Sequence, residues 1–232
     1  MIRAALFDFG GVILSSPFEA FARYEAENGL PDGFLRRVNA TDPDTNAWAR
    51  LERNEVDLEE FGRLFEAEAR ALGGEVVAAD VLGLLRGDVR PAMVEAVRRC
   101  AERLKTALLT NNVVSMQATE MAGGRGPAAS APGEEEPGEA DGGAADRDPR
   151  VAVLDLFDVI IESSVVGVRK PDPAFYERAC TELGIDASEA VFLDDLGVNL
   201  KPARAMCMTT IKVDDPDEAI AALESVVGFP LR

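Results

Sequence analysis

Residues 3–13 read RAALFDFGGVI: a short apolar run closes on one carboxylate, Asp8, then turns through Phe9 into Gly10 and Gly11. The run is too short for a helix and too uniformly apolar for a strand with one wet face. It has the pattern of a parallel strand buried on both sides. Four further runs share that character: TALLT at 106–110, FDVIIES at 157–163, AVFL at 190–193 and TTIKV at 209–213. Between them lie segments of helical period, PAMVEAVRRCAERL at 91–104, PAFYERACTELG at 173–184 and NLKPARAM at 199–206, and DEAIAALESVVG at 217–228 follows the last run. Strands alternating with helices predict an α/β fold built on a doubly wound, Rossmann-like parallel sheet.

One region breaks the alternation. FEAFARYEAENGL at 18–30, NAWARLERN at 46–54 and LEEFGRLFEAEARALG at 58–73 are successive amphipathic helix candidates with no strand between them. They predict a small all-helical cap inserted after the first strand, spanning 15–87, with Trp48, Phe61, Leu64 and Phe65 in its own core. The α/β core then comprises 1–14 plus 88–232. Within it, residues 122–150 are rich in Gly, Ala, Pro and acids and bury too little apolar surface to offset ordering entropy. They predict a disordered acidic surface insertion.

The charge and composition exclude several functions. Lys and Arg number 24 against 42 Asp and Glu, a formal net charge of −18, which opposes nucleic acid or an anionic membrane as a partner. Any phosphate must be held by local positive groups or a metal ion. There is no histidine, so Ser-His and Cys-His nucleophile systems and histidine metal sites are ruled out. Cys100, Cys180 and Cys207 show no CxxC spacing and read as small buried apolar residues in a reducing compartment. The first residues lack a basic-then-apolar signal segment, and no run reaches membrane-spanning length, so a cytoplasmic protein is expected.

In an open α/β sheet, ligands sit beyond the carboxyl ends of the strands. Here those ends carry Asp8, then Thr110 with Asn111 and Asn112, then Asp194 with Asp195, while Lys170 follows the FDVIIES run in GVRKPDP. If the strands are parallel neighbours, three carboxylates, a hydroxyl, an amide and an ammonium face one cavity. Carboxylates so close repel unless a cation lies between them, and hard oxygen ligands suit Mg2+. Asp8, exposed at a strand tip, can act as a nucleophile. The Gly10 carbonyl can serve as a further metal ligand. Thr110 Oγ and the amides after it offer donors to phosphoryl oxygens, and Lys170 offsets charge on a transferring group. The set reads as a phosphoryl-transfer site.

Asp172 and Pro173 read as N-cap and first residue of a helix. Asn199 reads first as a helix cap and second as support for the metal region, and Arg169 as a solvated residue turned away from Lys170.

The ordered set, Asp in FDFGGV, Thr in LLTNN, Lys in VRKPDP and Asp-Asp in FLDDLGVN, resembles the four motifs of the haloacid dehalogenase (HAD) superfamily. The resemblance covers the sheet domain, with the helical insertion where that family places a cap. It implies that Asp8 forms an aspartyl-phosphate and that Asp195 ligates Mg2+ together with Asp8 and the Gly10 carbonyl, Asp194 standing in support. Thr110, Asn111 and Lys170 would bind the phosphoryl group of a small phosphorylated substrate. Gly10 departs from the pattern, since most phosphatases of the superfamily carry an acid–base aspartate there. Three functions therefore stay open: a Mg2+-dependent phosphatase, a metal-independent 2-haloacid dehalogenase, and a docking module of weakened catalysis. Oligomeric state is not legible.

Overall fold

A computed structural model describes residues 1–112 and 148–232. Five strands form one all-parallel sheet: β1 (Ala4–Phe7), β2 (Lys105–Thr110), β3 (Val159–Glu162), β4 (Ala190–Asp194) and β5 (Thr209–Lys212). Their order is β3-β2-β1-β4-β5. The chain builds outward from β1 on one side, then crosses back to start the other half at β4. The switch in direction therefore falls between β1 and β4, the crevice where open sheets bind ligands. Phe7 lies level with Leu108 of β2 and Leu193 of β4, so Asp8 and Asp194 emerge side by side.

Alternation along β1 sends its side chains to two cores. Ala5 and Phe7 pack with Met93, Ala96 and Val97 of α6 (Pro91–Ala101) and with Ile220 and Leu223 of α11 (Pro216–Val227). Ala4 and Leu6 pack on the other face with Phe175, Tyr176 and Ala179 of α9 (Pro173–Leu183) and Leu200 and Ala203 of α10 (Gly197–Ala205). Every side chain of β1 is buried, which is why its sequence shows no polar alternation.

A third apolar cluster is built wholly from residues between Phe21 and Val81. It is shared by α1 (Phe18–Glu27), α2 (Phe34–Ala40), α3 (Ala47–Glu52), α4 (Leu58–Ala71) and α5 (Ala78–Gly83). At its centre the Trp48 ring meets Phe61 edge-on at 4.8 Å, and Phe61 stacks on Phe65 at 5.3 Å. Leu64 is only partly buried at its margin.

Helices α2 and α5 are additions to the sequence reading. Their starts are satisfied from a distance: the buried Glu25 carboxylate of α1 accepts from Gly33 N and Leu35 N, both at 2.8 Å. For α5, the Tyr24 hydroxyl accepts from Val77 N and Glu66 from Ala78 N. Neither helix carries a capping side chain of its own.

Three expectations change. The insertion expected at 122–150 lies outside the described residues up to 147, and its last three residues start helix α7 (Pro149–Leu154), with Asp148 accepting from Arg150 N. A short helix, α8 (Ser163–Val166), follows β3 directly. Cys100 and Cys180 are buried, but Cys207 is exposed, in the left-handed position (φ 72°) just after α10 ends. Among the described residues no helix is long and apolar enough to cross a membrane.

Candidate active site

The groups at the carboxyl edge of β1 and β4 meet. Lys170 Nζ lies 2.8 Å from Asp8 Oδ1 and 2.8 Å from Asp194 Oδ2, with the lysine side chain 1% exposed and that of Asp194 fully buried. Asp8, Asp194 and Asp195 each bring a carboxylate oxygen to within 4.8 Å of the others.

Each group is held by its local structure. Asp8 follows the last residue of β1, its own amide donating to Leu193 O on β4, and its Oδ1 accepts from Phe9 N at 2.7 Å. Asp194 closes β4. Its Oδ1 accepts from Leu196 N and Asn199 Nδ2, and its Oδ2 from Asn199 and Lys170, so both oxygens are engaged. Asn199 lies inside α10, whose start is at Gly197, and is not the cap expected of it. Its carbonyl accepts from the Tyr176 hydroxyl at 2.7 Å, which fixes the helix turn that aims the amide at Asp194. Asp172 does cap α9, accepting from Ala174 N at 2.9 Å, with Pro173 first in the helix.

Asn111 grips Lys170 by its backbone: Lys170 N donates to Oδ1 at 2.9 Å and Asn111 Nδ2 donates to Lys170 O at 3.0 Å. The two bonds set where the lysine leaves the loop. Thr110 ends β2 beside β1 and is buried. Asn112 is bonded instead to Glu162, the last residue of β3, and to Ser163 and Ser164 after it, in a partly buried polar group.

The two glycines differ. Gly11 has φ 75°, and a Cβ there would stand 2.2 Å from Asp195 Oδ2. Only glycine lets the turn adopt that conformation and lets the carboxylate approach. Gly10 has φ −67° and ψ 133°, open to any residue, and a Cβ would meet nothing within 4 Å. Steric exclusion therefore explains Gly11 and not Gly10. Sequence reading also missed Arg90, which donates to the Gly11 carbonyl at 2.6 Å and braces the turn from the start of α6.

Burial pushes the Asp8 acid well above the usual carboxylate range; Lys170 pulls it back, while Asp194 and Asp195 raise it further. Asp195 is pushed up to about 6, by burial first and by Asp194 second. Burial works to lower Lys170, but Asp194 and Asp8 outweigh it and hold the ammonium above its ordinary value. Three carboxylates converge on one ammonium, and their mutual repulsion is part of what raises Asp8 and Asp195. A divalent cation on Asp8 and Asp195 would offset that repulsion, and the oxygen-only donor set suits Mg2+.

Residues 2–206 match the family of haloacid dehalogenase-like hydrolases. The chain is 33% identical to acyl-CoA dehydrogenase family member 10 of Mus musculus, over 99% of this chain and 20% of that one. It is 30% identical to bifunctional epoxide hydrolase 2 of Sus scrofa, over 99% of this chain and 40% of the other. It thus spans less than half of either protein. Phosphatase MT3486 of Mycobacterium tuberculosis is 27% identical over 92% of this chain and 88% of its own length. Among solved structures, a predicted HAD-like hydrolase from Porphyromonas gingivalis superposes with a TM-score of 0.63 at 19% identity, over 98% of both chains. The HAD enzyme bt-2542 of Bacteroides thetaiotaomicron, solved with magnesium and inorganic phosphate, gives 0.55 at 17% identity, over 91% of this chain and 94% of that one. L-2-haloacid dehalogenase of Xanthobacter autotrophicus gives 0.57 at 18%, over 100% and 85%. These structures share the fold. The family match, spanning most of the chain, carries the assignment: this chain belongs to the haloacid dehalogenase-like hydrolases.

Proposed function

We propose that the protein is a Mg2+-dependent phosphatase acting on a small phosphorylated metabolite through an aspartyl-phosphate on Asp8. The observation that carries this is the contact of Lys170 with both Asp8 and Asp194, beside the Asp195 carboxylate. The mycobacterial relative named a phosphatase and the magnesium–phosphate complex of the Bacteroides neighbour support it.

Asp8 Oδ1 is taken by Lys170 and Phe9 N, so Oδ2 is the attacking oxygen. It bonds to phosphorus as the P–O bond to the leaving group breaks, the electron pair going to the departing oxygen. Water then attacks phosphorus, returning the carboxylate and releasing inorganic phosphate. Lys170, Thr110 and Asn111 hold the phosphoryl group, with Asn111 acting in part by fixing the Lys170 backbone. Mg2+, held by Asp8, Asp195 and the Gly10 carbonyl with Asp194 in support, would supply charge neutralisation on the phosphoryl oxygens. The helices of 15–87 serve as a cap that limits water and selects substrate.

A positioned proton donor typically supplies about 10²–10⁴-fold. Glycine at position 10 therefore favours substrates with acidic leaving groups, or a donor from elsewhere.

The test is hydrolysis of p-nitrophenyl phosphate and a panel of phosphate esters with Mg2+, with Asp8→Asn as control. Turnover that is metal-dependent and lost in Asp8→Asn supports the reading. No activity across the panel, or activity unchanged by Asp8→Asn, sinks it. Gly10 together with the dehalogenase fold neighbour favours a second reading, halide release from 2-chloropropionate without Mg2+, which the retained Asp194–Asp195 pair opposes.

A further inference from the structure

Arg169 is adjacent to Lys170 in the chain and is engaged in the opposite direction. Where Lys170 Nζ enters the buried carboxylates, Arg169 Nε reaches Glu52 Oε2 at 2.6 Å and its Nη1 donates to the Pro43 carbonyl at 2.9 Å. Glu52 is the last residue of α3, and Pro43 lies shortly before that helix begins, so one core side chain grips the helical region at two points. The sequence suggested a solvated arginine. Instead the Arg169 and Glu52 side chains are only 19% and 17% exposed.

The contact belongs to a longer seam. A cavity of about 550 Å³ is lined by Asp44 and Arg53 from the helical region and by Gly167, Arg169, Pro171 and Asp172 from the core. Helix α3 also packs against α8, just before this loop. Burial raises the Glu52 acid, while Arg169 and then the more distant Lys170 lower it, so Glu52 lies within the field of the site's ammonium. On its other side, the loop is fixed by Asn111, which takes both backbone polar groups of Lys170. The backbone at 169–170 is thus clamped between the end of β2 and the helical region.

We infer that the Arg169–Glu52 pair is a positioning clasp, through which the seating of the helical region sets where Lys170 meets Asp8. The inference rests on the phosphatase reading for its catalytic consequence, but its mechanical part stands separately. A guanidinium suits the task because its planar fork makes two bonds in fixed directions, one to the carboxylate and one to the carbonyl; an ammonium on a flexible stem does not.

The experiment compares wild type, Asp8→Asn, Arg169→Lys, Glu52→Ala and Glu52→Gln as full chains. It measures kcat and KM for p-nitrophenyl phosphate well below each Tm, and hydrogen exchange at 47–53 and 167–172. Arg169→Lys and Glu52→Ala should each lower kcat about 10- to 100-fold, the scale of a misplaced catalytic group. Glu52→Gln, which keeps an acceptor, should recover most of it. Each of the two damaging changes should speed exchange in both segments, not only in the one altered. A lowered Tm with kcat within twofold of wild type, and exchange faster only beside the substitution, would overturn the clasp. If wild type hydrolyses no phosphate ester, the functional reading fails, and coupled exchange alone decides whether the two segments are joined.

Discussion

The core of the helical region and the mouth of the sheet are both buried, and they spend burial in opposite ways. Around Trp48, Phe61 and Phe65 the side chains are apolar and interlocked, each ring contact adding to the area removed from water. At the end of β1 and β4 the chain instead buries an ammonium against two carboxylates, with a third close by. Buried ions cost several kcal/mol each before their attraction offsets it, so apolar residues of similar volume would often serve stability better. Buried charge of this kind is what the proposed chemistry at the sheet mouth requires.

Substitutions on the two sides should therefore separate activity from stability. Asp8→Asn should have the largest effect: turnover of p-nitrophenyl phosphate falls by at least about 10³-fold, because the carboxylate proposed to attack phosphorus is gone. Its Tm should hold or rise, since one of the crowded carboxylates becomes neutral. Phe65→Ala should do the reverse. The ring is fully buried, so the loss is about 3–5 kcal/mol by denaturant unfolding, with kcat of the folded fraction within a few-fold of wild type. A stable but inactive Phe65→Ala, or an unfolded Asp8→Asn, would break the division.

The same division governs what the sequence disclosed. The inner strands β1, β2 and β4 were legible because nearly all their side chains are buried, leaving runs such as AALF without polar interruption, whereas the edge strands β3 and β5 are only partly covered. The carboxylates were legible because each run stops on a polar residue. What stayed hidden is held by partners far along the chain. Helix α2 is capped by Glu25 and α5 by Glu66 and Tyr24, so local capping signals were absent. Arg169 finds Glu52 across 117 positions, and nothing near either residue announces it. Asn199 misled for a different reason: it is a good cap residue placed third in a helix that Gly197 and Val198 begin.

Gly10 and Gly11 sharpen the comparison within one turn. Gly11→Ala meets a left-handed backbone, about 1–2 kcal/mol unfavourable, and a Cβ that would overlap Asp195 Oδ2. Turnover should fall about 10- to 100-fold, with more Mg2+ needed to saturate. Gly10→Ala should instead raise unfolding stability by about 0.4–1 kcal/mol, because its conformation and surroundings admit a side chain. A Gly11→Ala variant that loses stability but keeps wild-type turnover and Mg2+ requirement would show that the turn, and not the approach of Asp195, requires glycine at 11.

The smallest effect expected is a pH dependence of metal stabilisation, and its sign follows from Asp195. Burial and the neighbouring Asp194 hold this acid at about 6 without metal, against an ordinary carboxylate value of about 3.9. Below pH 6 the group carries a proton that Mg2+ must displace; above it the Asp195 carboxylate is already ionised. The rise in Tm on adding Mg2+ should therefore be a few degrees at pH 7.5 and shrink progressively toward pH 5. In Asp195→Asn that pH dependence should flatten along with the metal effect itself. A Mg2+ shift that is the same at pH 5 and 7.5 would mean that the ion binds without Asp195, leaving Lys170 alone to balance the site's charge.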